Sequence, residues 1–588
     1  MIHRIYSDLP TFKELDFHAG MNVLIAKKSR RSSEIQTRNR AGKSSFVKIV
    51  HFLTGGSCAK DSIFRNKELK EFFFCIDFDT PDAKIEACRS GANRNKVFLD
   101  RPDFQGWPVS PVIDKETGRH VISNKAWTAV LGKLLFSLNV MDDGRSVQPH
   151  GPTFRMLFPY FARREKEGGF RSPTKHWASE PPGQEQVSIS FLLDLDWSIS
   201  KDFEEVREKE NSLKIIRKEA KTGVLGEIVG SAADLRTRLA VLEQRCARLR
   251  QNIADFNVLP QYRDLETEAS EITRHINLLS NENAIDRQRL AQIQESLTSE
   301  NQPSIMQLSQ LYEEANIIFP ELVKRRFEEV EAFHKSVLSN RESYLRGEMD
   351  EAESRITTRE SDMSELEKRR VEIMTLLKSH GALDQYQKFQ TELSRCEADL
   401  ESTQKQFEAA QLLEQKQDEL QDDRRRLKRR LRQDFDERKD ILKRTILYFE
   451  EVSSSLYGQD SGSLVFEETE NGPKFQVKIH GQDSKGITNM QIFCFDMMLM
   501  QICSERGIGP GFLIHDSHLF DGVDERQIAN ALQYGASAAD RFGFQYIVTM
   551  NEDVVPCNLF SKTFSFGDYV LPTVLTDDEN GGLFGIRF

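Results

Sequence analysis

Thr37-Arg-Asn-Arg-Ala-Gly42-Lys43-Ser44-Ser45 is the stretch on which the fold turns. It follows the aliphatic run Asn22-Val-Leu-Ile-Ala26, which reads as a buried strand, and opens onto Phe46-Val-Lys-Ile-Val-His-Phe-Leu53, which reads as a helix. A turn that holds phosphate between a strand and a helix needs glycine where backbone N–H groups close on the anion. It also needs a lysine to reach the β and γ oxygens and a hydroxyl for a divalent cation. Gly42, Lys43 and Ser44 supply these in order, with Asn39 and Ser45 as further candidate contacts. Gly-Lys-Ser-Ser also occurs by chance in surface loops, so the strand before it and the helix after it carry the reading. Thr37 stands where such a motif has its first glycine. The loop is long and basic, with Lys27, Lys28, Arg30, Arg31, Arg38 and Arg40 ahead of Gly42. It reads either as a solvated insertion or as a flap over nucleotide or DNA backbone.

The complementary pieces lie at the other end of the chain. Gly511-Phe-Leu-Ile-His-Asp516 is a buried-type strand ending in a carboxylate, the Walker B arrangement in which an aspartate holds the water shell of Mg²⁺. The next residue, where a hydrolytic site carries glutamate, is Ser517, so either hydrolysis is slow or His518, Asp521 or Asp524 stands in. A shift of one residue would put His515 at the magnesium position, against the poor affinity of imidazole for that ion. Upstream, Gly481-Gln-Asp-Ser484-Lys-Gly486-Ile-Thr-Asn489 precedes the apolar helix Met490–Cys503. Small residues at a helix N-terminus offer N–H donors and the dipole to an anion, although in isolation the motif is an ordinary N-cap. Downstream, strand Gln545–Thr549 leads to Met550-Asn551, which puts a polar side chain towards a γ-phosphate.

Between these pieces the chain is nearly free of Gly and Pro. Leu235, Leu239, Leu242, Cys246, Leu249, Ile253 and Phe256 keep an unbroken heptad spacing. The seam resumes through Leu265, Ile272, Ile276, Leu279, Leu290, Ile293 and Leu297, with polar Asn283 and Asp286 in two of its places. A second run is clearest at Tyr386, Phe389, Leu393, Cys396, Leu400, Thr403 and Phe407. Two seams separated by a turn-like stretch predict an antiparallel hairpin. Pro260 and Gly381 lie 60 and 61 residues from Pro320, so a tip near Pro320 would set these two breaks opposite each other as a joint, with Pro303 the competing turn. At roughly 1.5 Å per residue, an arm of about 100 residues reaches on the order of 150 Å.

The bulk composition agrees with this division. Only 38% of the 588 residues are hydrophobic, below the share of a chain packed throughout, as expected if a long segment buries only a stripe. With 81 Lys+Arg against 92 Asp+Glu the net charge is −11, which excludes indiscriminate polyanion binding and leaves only local patches. Eight cysteines without a CxxC pair give neither a disulfide framework nor a zinc-ribbon spacing, and point to a reducing compartment. The N-terminus lacks an apolar leader, and Asp496 interrupts the most hydrophobic segment, so a soluble, cytoplasmic protein with no membrane contact is expected.

Assembled, these residues resemble the ABC ATPases of the SMC and RecN type over the whole chain. The resemblance implies an α/β ABC-type P-loop ATPase head formed from N- and C-terminal pieces, with an inserted long antiparallel α-helical coiled-coil hairpin. Residues 1–197 would carry Walker A, 198–447 the hairpin with its tip near 299–321, and 448–588 the signature, Walker B, D-loop and switch. In that family two heads sandwich two ATPs, each held by the Walker A of one head and the signature of the other. Carried over, Gly42, Lys43, Ser44 and Asp516 bind ATP and Mg²⁺, with Ser44 and Asp516 on the metal, and Ser484 and Gly486 form the trans signature. Asp524 resembles the D-loop aspartate, one residue later than usual, and Asn551 takes the place of the switch histidine. The chain departs from the pattern at Thr37, at Ser484-Lys-Gly486 and at Ser517, and no glutamine is assigned to a Q-loop.

More narrowly, Ile5-Tyr-Ser-Asp8 with Phe17, the delayed Walker A, Phe154-Arg155, Tyr160-Phe161, Phe333-His334, Ile514-His-Asp-Ser517 and Phe520-Asp-Gly522 resemble a group of prokaryotic SMC-like proteins. That group is encoded in three-component ABC systems, including Lamassu-type anti-phage and anti-plasmid defence. The resemblance implies an ATP-gated sensor of foreign or abnormal double-stranded DNA that pairs through its heads. It would control a separate nuclease-like effector alongside small accessory subunits. The competing readings are a chromosome-organising or repair ATPase with a mechanical role, and a nucleotide-bound scaffold without turnover.

For DNA the sequence offers Arg424, Arg425, Arg426, Lys428, Arg429, Arg430 and Arg432, seven cations in nine residues. Arg207, Lys209, Lys214, Arg217, Lys218 and Lys221 lie at the matching end of the outgoing helix. Such a patch clamps duplex backbone without reading sequence. The alternative is a solvated helix face balanced by neighbouring acids.

Overall fold

A computed structural model describes the chain except for residues 29–41, 102, 140–148, 223–230, 256–259, 300–320, 378–382, 459–460, 479–483, 579 and 587–588, and it gives only the backbone of a few helical stretches beside these. The N-terminal piece runs β1 (Ile2–Ser7), β2 (Leu15–Asp16), β3 (Met21–Lys27), α1 (Lys43–Leu53), β4 (Phe73–Asp79), β5 (Lys84–Ser90), β6 (Lys96–Asp100), β7 (Val112–Ile113) and β8 (His120–Ser123). Helices α2 (Asn124–Phe136), α3 (Phe154–Leu157), α4 (Pro182–Leu192) and α5 (Trp197–Thr222) follow. The central helices are α6 (Ala232–Ala254), α7 (Pro260–Ser299), α8 (Glu321–Leu377) and α9 (Leu383–Glu437). The C-terminal piece is α10 (Lys439–Tyr457), β9 (Ser463–Thr469), β10 (Gly472–Lys478), α11 (Lys485–Glu505), β11 (Phe512–His515), α12 (Glu525–Phe542), β12 (Gln545–Asn551) and β13 (Leu575–Thr576).

The chain divides into two compact units, residues 1–218 with 415–588, and residues 219–414. In the first, seven antiparallel strands take the order β2-β1-β4-β5-β6-β8-β7 and four parallel strands the order β11-β12-β3-β13. Helix α1 packs between the two sheets, touching β4 and β5 on one side and β12 on the other. Strand β3 is buried from Met21 to Ala26 because it lies inside a parallel sheet covered on both faces, which is why it reads as a continuous apolar run. Gln545 joins the two ends of the chain: its side chain accepts from Ile2 N at 2.9 Å and donates to Ile2 O and His18 O. Arg89 closes the far end of α1, donating to the carbonyls of Phe52 and Gly56, where a cation also meets the helix dipole favourably.

The compact units divide inside the expected 197/198 and 447/448 boundaries. The reason is hydrophobic: Phe203 and Val206 of α5, Leu427, Leu431 and Phe435 of α9, and Phe449 and Val452 of α10 belong to the same buried core as the sheets. The basal turns of the helical insertion are therefore part of the head.

In the second unit the expected seams are buried at Leu235, Leu239, Cys246 and Leu249, and at Cys396 and Thr403. Across α7 and α8, Glu268 meets Arg369 at 2.9 Å, Arg287 meets Glu360 at 2.5 Å, and Arg289 meets Glu348 at 2.7 Å. Partner numbers fall as residue numbers rise, so these two helices run antiparallel. Asp286, one of the polar seam residues, is held by Arg355 and Arg359, which bring its carboxyl down to about 2. Helices end at Ala254 and Leu377 and resume at Pro260 and Leu383. Both interruptions fall between the Cys246–Leu249–Cys396 cluster and the Ile272–Ile373 cluster, as a joint requires. Gly381, the tip with Pro303 and most of the basic loop ahead of Gly42 lie outside the described residues.

The cysteines correct one expectation. Cys75 and Cys88, register partners on β4 and β5, form a disulfide, and Cys246 of α6 and Cys396 of α9 bring their sulfurs together in the seam. Both pairs arise from tertiary adjacency, which sequence spacing does not carry. Among the described residues no helix is long and apolar enough to cross a membrane.

Candidate nucleotide site

The C-terminal ends of β11, β12 and β3, three neighbours in the parallel sheet, bring most of the candidate residues together. Such strand ends are where open α/β sheets bind ligands. Gly42 sits at φ 87°, a left-handed conformation that suits glycine, and an added Cβ would lie 2.9 Å from Leu583 N. This turn points Lys43, the first residue of α1 and largely buried, at the end of β12, where its Nζ donates to Asn551 Oδ1. A lysine and the proposed switch residue, 508 positions apart, thus meet at the site.

Asp516 follows β11 and is 3% exposed. Its Oδ1 accepts from Thr549 Oγ1 at 2.8 Å, from Ser517 N at 2.7 Å and from Ser517 Oγ at 3.3 Å, while Oδ2 carries no hydrogen bond among the described residues. Asp516 is therefore oriented by its neighbours with one oxygen left over. Ser517 turns back onto Asp516 and offers no base. His515 is fully buried against Asp496 and Tyr546, and burial pushes its imidazole below the ordinary range against the pull of Asp496. The one-residue shift that would make His515 a metal ligand is thus overturned, because the side chain points into the core. Asn39 lies outside the described residues, and no hydrogen bond joins Ser44 or Ser45 to Asp516 among those described.

A second group surrounds the start of α11. Ser484 occupies the N-cap position with an exposed side chain that makes no cap hydrogen bond. Gly486 is buried, and a Cβ there would stand 2.2 Å from Gly522 O. Asn489 Nδ2 donates to the carbonyls of His518 and Asp521, both at 3.1 Å, and Lys485 reaches Asp521 at 3.4 Å. The start of α11 and the turn after Asp516 are thereby one hydrogen-bonded piece. His518 Nδ1 lies 3.3 Å from Asp521 Oδ2 at the surface. Asp524 caps α12 by accepting from Arg526 N at 2.9 Å, a bond that lowers its carboxyl below the usual range.

The basic run 424–432 is already engaged. Arg424 pairs with Glu210, Arg425 with Asp422, Arg426 with Asp423, Lys428 with Glu470, Arg430 with Asp196 and Asp202, and Arg432 with Glu468. Among the described residues only Arg429 of the seven has no ion pair. The geometry is that of a charge-balanced surface, with the β9–β10 hairpin supplying Glu468 and Glu470. On the outgoing helix Arg207 pairs with Glu204, and Lys27, which ends β3 rather than lying in the loop, pairs with Glu552 at 2.9 Å.

Thr549, Arg163 and Asp496 were not singled out as site residues by sequence. Asp496 was visible only as a charge interrupting an apolar helix, and Thr549 only as a hydroxyl inside a buried strand.

The fold and site define a split α/β head with a phosphate-loop-like turn and an inserted pair of antiparallel helices. Residues 452–588 match the family described as an uncharacterised protein conserved in bacteria (DUF2326). Residues 288–414 match the family described as C-terminal domain 10 of the ABC-three component (ABC-3C) systems. No curated protein matches the chain. Among solved structures, the chain is similar to an Smc head domain with a coiled coil and joint from Pyrococcus yayanosii, at 15% identity over 95% of this chain and 93% of that one, with a TM-score of 0.34. It is also similar to an Smc head domain with an extended coiled coil, bound to the C-terminal domain of ScpA, from Pyrococcus furiosus. That match has 11% identity over 95% and 91% of the two chains and a TM-score of 0.30.

Proposed function

We propose that this chain is an SMC-like, ABC-type ATPase subunit of a prokaryotic three-component defence system, binding ATP with Mg²⁺ at Gly42–Ser44 and Asp516. The observation that carries the reading is the convergence of Lys43, Asn551 and the Thr549-held Asp516 at three neighbouring strand ends beside a left-handed glycine turn. Ser44 Oγ and the unbonded Asp516 Oδ2 are hard oxygen donors of the kind Mg²⁺ takes, and the ion would neutralise charge on the β and γ oxygens. Lys43 binds and orients the phosphates, and Asn551 holds Lys43 in place until they arrive. Ser517 gives no general base, so turnover is slow unless His518, Asp521 or Asp524 stands in, the first two of which pair at the surface.

In a head-to-head homodimer, Ser484 and Gly486 face the nucleotide of the other copy. Ser484 offers an exposed hydroxyl, and Gly486 lets the turn at Gly522 pack closely. Double-stranded DNA is the proposed trigger and the run Arg424–Arg432 its proposed seat, where phosphates exchange with the carboxylates now covering it. The ABC-3C match of residues 288–414 favours partner subunits, here a nuclease-like effector and small accessory proteins.

The test is ATP binding and hydrolysis with linear, circular and single-stranded DNA, for wild type, Lys43→Ala and Asp516→Ala. DNA-stimulated turnover lost in both variants is expected. Turnover indifferent to DNA and to both substitutions would sink the reading. A mechanical role in chromosome organisation or repair would show instead as continuous turnover on any long duplex, and a scaffold as binding without hydrolysis.

A further inference from the structure

Three elements of the proposed nucleotide site meet at one short segment that its chemistry does not use. His51, on the same helix as Lys43, bonds through Nε2 to Ala162 O at 2.6 Å. A carbonyl oxygen only accepts, so Nε2–H donates, and burial, with Arg164 and Arg155 nearby, holds the imidazole well below its ordinary range. Ala162 also forms an isolated parallel bridge to Ile514, two residues before Asp516. Next to it, Arg163 donates from Nε to both oxygens of Asp496, at 2.9 and 2.7 Å, and from Nη2 to Oδ1 at 2.7 Å. Asp496 lies on α11, the helix that begins beside Ser484 and Gly486. Its Oδ2 stands 3.5 Å from Nε2 of His515, the residue before Asp516. The remaining donors of Arg163 go to the carbonyls of Gly169, Ser172, Pro173 and Lys175. They pin a loop that borders, with Lys485 and His518, a cavity of about 590 Å³ at the start of α11.

Arg163 and Asp496 are both 0% exposed. A buried ion pair is weak evidence of stabilisation, since apolar residues of similar volume often hold a core as well. Its planar fork does fix direction, which an apolar contact does not. We infer that Arg163 is a positioning residue which, through Asp496, sets the signature helix against the Walker A helix and the Walker B strand, so that nucleotide bound by one head in cis orders the Ser484–Asn489 face it offers in trans. This rests on the nucleotide-binding reading above. Asp496 is twelve residues from Ser484 along a continuous helix, on the order of 18 Å.

The experiment uses the full chain and its wild-type ATP affinity as reference. Arg163→Met with Asp496→Leu replaces the pair by apolar residues, and Asp496→Asn keeps the volume while removing the charge. ATP binding is measured by titration, and amide hydrogen exchange of residues 484–490 is followed with and without ATP, with thermal melts as the fold control. In wild type, ATP slows exchange at 484–490 at least about fivefold. In the double variant, binding stays within about threefold of wild type while that slowing is lost. Should the double variant not melt cooperatively, Asp496→Asn carries the same expectation. Wild-type slowing in a folded variant, or ATP binding by wild type with no slowing at 484–490, overturns the inference and leaves the nucleotide site standing. Absence of ATP binding by wild type overturns both.

Discussion

Arg163 in the head and Arg359 in the arm are both arginines paired with an aspartate, and the surroundings separate them. Arg163 and Asp496 are sealed from water, and seven hydrogen bonds satisfy the guanidinium. Arg359 reaches Asp286 at 2.6 Å on a boundary still 19% exposed, and shares its partner with Arg355. In the head, a single charge pair fixes place and direction. In the arm, several acids and bases could exchange partners along a seam, so register is set by redundancy.

The sharpest way to break that comparison is Arg163→Ala. It leaves Asp496 buried and uncompensated, and urea unfolding should register a loss of about 3–5 kcal/mol. A loss under about 1 kcal/mol would make the two pairs equivalent. Gly486→Ala comes next: its Cβ would meet the backbone of Gly522, so the turn after Asp516 must shift. A loss of about 1–3 kcal/mol is expected, read by thermal denaturation, together with weaker ATP-dependent association of heads.

In the arm, Asp286→Asn should cost on the order of 1 kcal/mol at neutral pH once solvent screening is allowed for. The sign is fixed by its depressed carboxyl: the stabilisation is present above the ordinary carboxylate range and is lost as pH falls towards about 2. Acid titration of the helical signal should therefore be shallower in the variant between about pH 4 and pH 2. The smallest effect belongs to Arg250→Ala, which breaks an exposed pair with Glu397 at 2.8 Å. It should leave stability within about 0.5 kcal/mol of wild type by the same urea assay.

What sequence could disclose follows the same divide. Strands β3, β11 and β12, helix α1 and the seams at Leu235–Leu249 are legible because each is a local pattern of apolar residues, and Gly42 because a turn whose N–H groups close on phosphate calls for glycine. Asp516 and Asn551 could be named from the strands that end at them. Thr549, Arg163 and Asp496 could not, since Arg163 and Asp496 are 333 residues apart and only the packed head makes them partners. The surroundings of the cluster Arg424–Arg432 were hidden for a related reason. Its cations are adjacent in sequence, whereas Asp196, Asp202, Glu210, Glu468 and Glu470, which balance them, come from other elements.

Strand β3 takes both of its neighbours from the far end of the chain, Met21 pairing with Tyr546 and Ala26 with Leu575. During synthesis the first sheet-forming segment of the nucleotide site therefore waits, unpaired and apolar, until more than 500 further residues have been made. Antiparallel zippering of the inserted helices shortens that wait in conformational terms. Once Glu210 and Arg424 are together, the intervening chain no longer counts as open loop, and each halving of effective loop length saves about 0.6 kcal/mol of closure entropy. A chain slow to bring Glu210 and Arg424 together is expected to leave β3 exposed for longer, which light scattering during refolding of Arg424→Ala would register as increased aggregation.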